Sequence, residues 1–193
     1  MNTMTSPLSF SNLLHSWPSF CKKIQSFMNE LDISTYPFEC DHVAIRINQL
    51  TDALQLKNNV HEFGDIISEN IINGRPILII KLHHSLHLGA LTIDYLELPF
   101  PSEKRYPEQG WEHIELIFPS NAIDCQTLSD ELLLAIPKLA PIIANQTSIK
   151  VKMSSPRGDK ERLPNPTIAF KKHNICIKIH PHHIKTIIAS EHK

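Results

Sequence analysis

The sequence predicts an α+β protein in which a βαβββ module occurs twice in tandem behind an N-terminal helical extension. Three observations carry the prediction. Two strand-like segments, residues 41–47 and 111–118, each contain an acidic residue followed by histidine: Asp41-His42 and Glu112-His113. Each is followed by the same succession, a helix and then three further strands. Within the first of these units Asn73-Gly74 separates two isoleucine-rich runs, and Asn-Gly is the preferred two-residue type I′ hairpin turn.

The elements follow in order. Leu13, Leu14, Trp17, Phe20, Ile24, Phe27, Met28 and Leu31 recur at helical spacing, interrupted by Pro18, which gives one or two leading helices over 10–31. A strand at 42–48 comes next. Thr51 is the expected cap of a helix that turns Leu54, Val60 and Phe63 to the core and closes at Gly64. The hairpin pairs 66–72 with 77–82, and His83, His84 and His87 decorate its end. A strand over 91–98 is ended by Pro99 and Pro101. The second unit reads as a strand over 113–118, a helix over 121–136, strands over 148–153, 167–170 and 175–180, and a closing helix over 182–191. The stretch 154–166 is too polar and proline-rich for a strand, and loops of that length are often functional. The layout is one domain over 1–193, with leading helices in 1–38, a first module in 39–101 and a second in 111–193.

A chain of 193 residues, 41% hydrophobic and 20% charged, can bury a sizeable core without staples. Its formal net charge of -1 gives no electrostatic case for nucleic acid or an anionic membrane surface. No stretch approaches the roughly 20 apolar residues that span a bilayer, and the first residues lack a basic start followed by an apolar run. Cys21, Cys40, Cys125 and Cys176 are widely spread with no C-x-x-C pair, which fits free thiols in the cytoplasm. Several of the twelve histidines, such as His15 and His192, are expected to face solvent.

Side chains alternate across a strand. His42, Ala44 and Arg46 therefore share one face of their strand, and Val43, Ile45 and Ile47 the other. His113 and Glu115 share a face, with Ile114, Leu116 and Phe118 opposite. Tyr95 and Glu97 pair in the same way against Leu96 and Leu98, and Cys176, Lys178 and His180 against Ile175, Ile177 and Ile179. Each strand gives one side to a core and the other to imidazole and charge. A sheet curled around those polar faces would build a metal pocket.

The chain resembles the YecM proteins of proteobacteria, a family of the vicinal oxygen chelate (glyoxalase/bleomycin-resistance/dioxygenase) superfamily. The resemblance rests on Asp41-His42, residues 69–76, Glu97-Leu98-Pro99, residues 103–107 with Gly110-Trp111-Glu112-His113-Ile114-Glu115, Ser154-Ser155-Pro156 with residues 161–167, and Ile179-His180-Pro181. It implies paired βαβββ modules around a cupped cavity, with metal ligands on the first and fourth strands of each. Members are described as candidate metal-binding proteins without an established reaction.

Carried over residue by residue, the pattern implies His42, Glu97 and His113 as ligands, with Lys178 at the fourth position. Lys178 is a poor ligand, since its amine stays protonated with an unperturbed pKa of about 10.4. His180 or Glu115 can substitute. Two imidazoles and a carboxylate suit divalent Zn, Fe, Mn or Ni with open positions for a chelating small molecule. Glu115 is then the first choice as general base, and Arg46 with Lys178 can clamp an anionic group of the substrate. Each residue also has an ordinary role open to it. The histidines can make structural hydrogen bonds, Glu97 can pair with Arg46, and Lys178 with Glu97 or Glu115. Arg157 and Arg162 are expected to be solvated, and His182 and His183 to diverge at the helix entry. The leading expectation is a divalent-metal isomerase, lyase or dioxygenase acting on a small oxygen-rich metabolite. The rivals are a metal-free module that sequesters a small hydrophobic or cationic ligand, as the resemblance to the superfamily's drug-resistance members implies, and a scaffold with a vestigial cavity whose exposed edge serves a partner.

Overall fold

Helix α1 (Phe10–Glu30) opens at Ser9, whose hydroxyl accepts the Asn12 N–H, and buries Leu13, Trp17, Phe20, Ile24, Phe27 and Met28 along one stripe. It is one helix, with Pro18 inside it. It stops where Asp32 takes a positive φ and the N–H groups of Asp32 and Ile33 return to the carbonyls of Asn29 and Met28, a Schellman arrangement. The computed structural model describes residues 8–156 and 163–190. Arg157, Arg162, Glu191 and His192 lie outside the described residues.

Strand β1 (Glu39–Arg46) is followed by α2 (Leu50–Asn58), β2 (Gly64–Ile72), β3 (Arg75–Leu88) and β4 (Leu91–Pro99). The second module runs β5 (Gly110–Ile117), α3 (Cys125–Ala135), a short α4 (Ala140–Ile143), β6 (Lys150–Ser154), β7 (Thr167–Lys172), β8 (Ile175–His180) and α5 (Ile184–Ser190). Among the described residues the eight strands form one sheet in the order β2-β3-β4-β1-β5-β8-β7-β6. β1 is parallel to β4 and β5 is parallel to β8, while β1 and β5 run antiparallel at the centre. The two βαβββ modules thus join edge to edge about an approximate two-fold.

One face of the sheet is apolar. Val43, Ile45, Leu78, Ile80, Leu96, Leu98, Ile114, Leu116, Ile168, Phe170, Ile177 and Ile179 pack with α1, α2 and α3 in a continuous core. The opposite face lines a cavity of about 610 Å³, and Ile184, Ile187 and Ile188 of α5 lie along it. Strand alternation thus separates core from cavity as the sequence predicts.

Local details depart from expectation. Helix α2 is preceded by Gln49 rather than capped by Thr51, so its core stripe is Ala53 and Leu56 while Leu54 is 42% exposed. Phe63 is buried as expected. Gly64 opens β2 instead of closing the helix, and a Cβ there would lie 2.5 Å from the Lys81 carbonyl oxygen. Asn73 and Gly74 both have positive φ, as a type I′ turn requires. The next strand, however, continues through His83, His84 and His87 to turn at Gly89. Outward-facing histidines on a long strand look like a loop in sequence. Helices α3 and α5 begin later than expected, α3 because Asp124 caps it by accepting the Thr127 N–H.

Candidate metal centre

Both acidic–His pairs sit at register shifts. Cys40 pairs with Leu116 and His42 with Glu115, so Asp41 is an extra residue on β1. Ala44 pairs with His113 and Ile45 with Trp111, so Glu112 is an extra residue on β5. A bulge of this kind bends the strand and re-aims side chains, and here it lets each acid reach its neighbouring ring. His42 Nδ1 is 3.0 Å from Asp41 Oδ2, and His113 Nδ1 is hydrogen bonded to Glu112 Oε2. With Nδ1 occupied, each imidazole turns Nε2 toward the cavity floor.

Two carboxylates meet those nitrogens. His113 Nε2 is 3.1 Å from Glu115 Oε1. His42 Nε2 is 3.5 Å from both Glu115 Oε1 and Glu97 Oε2, and makes no aligned hydrogen bond. One donor atom from each of His42, Glu97, His113 and Glu115 lies within 4.8 Å of the other three. Ligands sharing one ion at about 2.1 Å are separated by roughly 3–3.5 Å, so the group needs only a small contraction to hold one. The fit to a divalent ion rests on that donor set, on the unpartnered buried Nε2 of His42, and on the carboxylate behind each ring. Such outer partners orient metal-binding imidazoles and raise their basicity.

Around this group the charges are paired. Lys178 Nζ lies 2.6 Å from Glu115 Oε1, and Arg46 Nη2 lies 3.2 Å from Glu112 Oε1 with its guanidinium over the Tyr106 ring. Asp41 is fully buried; its Oδ1 accepts the Ile184 N–H at 2.9 Å and lies 2.6 Å from His183 Nδ1, while Oδ2 faces His42. Burial alone would push the buried carboxylates up. For Glu97 the contact with His42 and the Lys178 charge overcome this and bring it down to about 2. Glu115 is held well below the usual range against burial by the charges of Lys178 and His42 and by its contacts with His113 and His180. Asp41 is lowered by His183 and His42, and Glu112 by His113 and Arg46, again against burial. Burial would lower His42, but Glu115, Asp41 and Glu97 raise it well above the ordinary imidazole range. Lys178 is raised by Glu115 and Glu97 in spite of burial.

His42, Glu97, His113 and Glu115 are therefore brought together. His180 stands beside them, its Nε2 3.0 Å from Glu115 Oε2 and 3.7 Å from Asp41 Oδ2 without hydrogen-bond alignment. Lys178 is committed to Glu115, and Arg46 pairs with Glu112 rather than Glu97 because the bulge at Glu112 carries that carboxylate toward it. Asp41, Glu112 and His183 belong to the same network and had no role in the sequence reading. The signal for the two acids was the doubled acidic–His dipeptide itself. His183 does not diverge: its turn before α5 brings it to Asp41. Cys176, paired in register with His113, also lines the cavity, and burial pushes its thiol up to about 12.

A family model described as YecM protein matches residues 9–191. The protein named Protein YecM of Escherichia coli (strain K12) is 39% identical over 174 residues, covering 90% of this chain and 89% of its own length. An uncharacterized protein of Haemophilus influenzae is 35% identical over 171 residues, covering 86% of each. A solved structure titled "Structural Genomics, Protein EC4020" superposes with a TM-score of 0.78 at 34% identity, covering 94% of this chain and 92% of that one.

Proposed function

This chain belongs to the YecM family, and on that premise we propose that it binds a divalent metal and acts on a small oxygen-rich metabolite, in the manner of isomerases, lyases or dioxygenases of the vicinal oxygen chelate superfamily. The single observation that supports this reading is the convergence of two imidazoles and two carboxylates on the floor of one cavity. His42, Glu97 and His113 hold the ion, with Glu115 as a fourth donor. Zn, Fe, Mn or Ni suits this set. Such an ion polarises a carbonyl or enediolate oxygen when bound.

The chain's own groups do the rest. Asp41 and Glu112 fix the tautomer and aim of the two rings. Glu115 is the carboxylate beside the substrate space that can accept a proton when it is off the ion, and Lys178, which keeps it ionised, also lowers its strength as a base. Lys178, which borders the open cavity, meets an anionic group of the substrate; Arg46, held by Glu112, lines the wall beside it. We place the protein in the cytoplasm, where its four free cysteines are kept reduced, and assign it no nucleic-acid partner at a net charge of -1. Among the described residues no helix is long and apolar enough to cross a membrane.

Metal analysis of protein purified without an affinity tag or chelators tests the reading. The expected result is near one equivalent of a transition metal, present or taken up on adding Zn(II), Mn(II) or Fe(II). Less than a tenth of an equivalent, with no uptake, defeats it. One observation favours a second reading, a metal-free module that sequesters a small molecule: the Lys178–Glu115 ion pair already occupies a donor oxygen. That reading expects a ligand on Lys178 in protein stripped of metal.

A further inference from the structure

We propose that the ligand of this cavity is an elongated anion, a small molecule with a phosphate or carboxylate tail seated on a ladder of lysines in the second module. Cavity-side residues run in rows across the sheet. In one row Lys152 pairs with Ala169, Ala169 with Lys178, Lys178 with Glu115, and Glu115 with His42. In the next, Lys150 pairs with Lys171, Lys171 with Cys176, and Cys176 with His113. Lys150, Lys152, Lys171 and Lys178 all line the cavity. The facing wall in the first module is built from Ile77 and Ile79 with Ser68, Asn70 and Arg75, whose guanidinium donates to the Phe100 carbonyl. The lysines are concentrated on the second-module side of a cavity that Arg46, Arg75 and Lys104 also border.

Lys150 and Lys171 stand directly opposite in an antiparallel pair, and like charges so placed destabilise a sheet. Neither they nor Lys152 has a carboxylate partner among the described residues, which is also true of the exposed Lys22, Lys23 and Lys81, while Lys57, Lys138 and Lys172 each pair with one. The carboxylates on the cavity floor are committed to His42, His113, Arg46 and Lys178. Lysines on an exposed edge strand can serve to block strand pairing, which is an ordinary role for Lys150 and Lys152 on β6. That role does not extend to Lys171, which lies on the interior strand β7 and faces the same space. An anion bridging the ladder would relieve the repulsion. From β6 to β5 is three strand spacings, roughly 14 Å at about 4.8 Å each. The tail would thus sit well away from the atoms at the His–Glu group, as a handle for binding. The cavity's volume of about 610 Å³ suits a metabolite.

The inference deepens the proposed function, and the test separates the two. Titration calorimetry is run on metal-free protein in resin-treated buffer at 0.15 M NaCl, with EDTA avoided as itself a polyanion. Inorganic pyrophosphate represents a phosphate tail and citrate a carboxylate one, and the tighter probe names the class. Saturable binding is expected, weakened at least tenfold in the Lys150→Gln/Lys152→Gln/Lys171→Gln variant and unchanged in a Lys22→Gln/Lys23→Gln control on the exposed side of α1. Should the triple variant not fold, Lys171→Gln alone carries the test, with at least threefold weakening and an unliganded Tm equal to or above wild type. Absence of saturable binding by either probe, or equal binding by the lysine variants and wild type, overturns the proposal. Uptake of Zn(II) is measured in parallel. Lysine-dependent anion binding without metal uptake sinks the enzyme reading and leaves the anion site standing, and the reverse pattern does the opposite.

Discussion

Lys178 holds toward Glu115 the register position that Glu97 holds toward Ala44 in the first module. The two-fold that exchanges β1 and β5 matches His42 with His113 and Ala44 with Glu115. The second module has therefore moved its carboxylate from the fourth strand to the first and placed an ammonium where the carboxylate would have been. The donor group keeps two carboxylates, but one of them carries a cation 2.6 Å away.

That cation competes with a metal for Glu115. In Lys178→Met, zinc affinity is expected to rise about tenfold, equivalent to about 1.4 kcal/mol. The metal-free variant should melt lower than wild type, because a buried carboxylate has lost its partner. Competition with a chelating dye and melting curves with and without Zn(II) check both. A fall in affinity would mean that Lys178 aims Glu115 instead of blocking it.

The imidazoles and their acidic neighbours should separate in effect. His42→Ala and His113→Ala each remove a donor and are expected to abolish metal uptake while the circular dichroism stays native. Asp41→Asn and Glu112→Gln leave the donors but loosen their aim, with an expected loss of 10- to 100-fold in affinity. Full-strength binding in either of the latter two would show that the bulged acids serve the fold alone.

Much of this was legible in the chain because alternation is a strong constraint once one face is buried. Val43, Ile114, Leu96 and Ile177 had to face the core, which sent His42, His113, Glu97 and Lys178 to the other side. What could not be read was where alternation breaks. The bulges at Asp41 and Glu112 follow from the pairing of β1 with β5, a contact between segments far apart in sequence. The same non-local logic hid the Arg46–Glu112 pair and the approach of His183 to Asp41. In α2 the lack of a side-chain cap left the helix start ambiguous, and a shift in phase was enough to exchange Leu54 for Ala53 on the core face.

The charge network makes the metal-free protein sensitive at both ends of the pH scale. Glu97 is depressed to about 2 in the fold, so its contribution is present above the unfolded value of about 4.3 and is lost as pH falls toward 2. His42 is raised, so its contribution is complete below the unfolded value of about 6.5 and disappears as pH climbs through its folded pKa. Urea unfolding across pH should give a plateau in the weakly acidic range with a decline on either side. Glu97→Gln is expected to flatten the acid limb and His42→Gln the alkaline one. An alkaline limb unaltered in His42→Gln would remove the imidazole from the account.

The helical extension should be separable from the site. Trp17 packs edge-on against Trp111 of β5 with ring centroids 4.8 Å apart, and its indole N–H donates to the His87 carbonyl at 3.1 Å. Trp111 in turn donates to the Leu13 carbonyl at 2.7 Å, so the two indoles tie α1 to the apolar face of the sheet. Trp17→Ala leaves a cavity there and removes one of the two donors to the His87 carbonyl, the other being the Cys21 thiol at 3.7 Å, at an expected cost of about 3–5 kcal/mol in chemical denaturation. The donor group lies on the other face, so stoichiometric zinc uptake by the folded variant should match wild type. A loss below about 1 kcal/mol would mean that α1 is only loosely docked, and a variant that stays folded but no longer takes up zinc would mean that the helix shapes the cavity through the sheet.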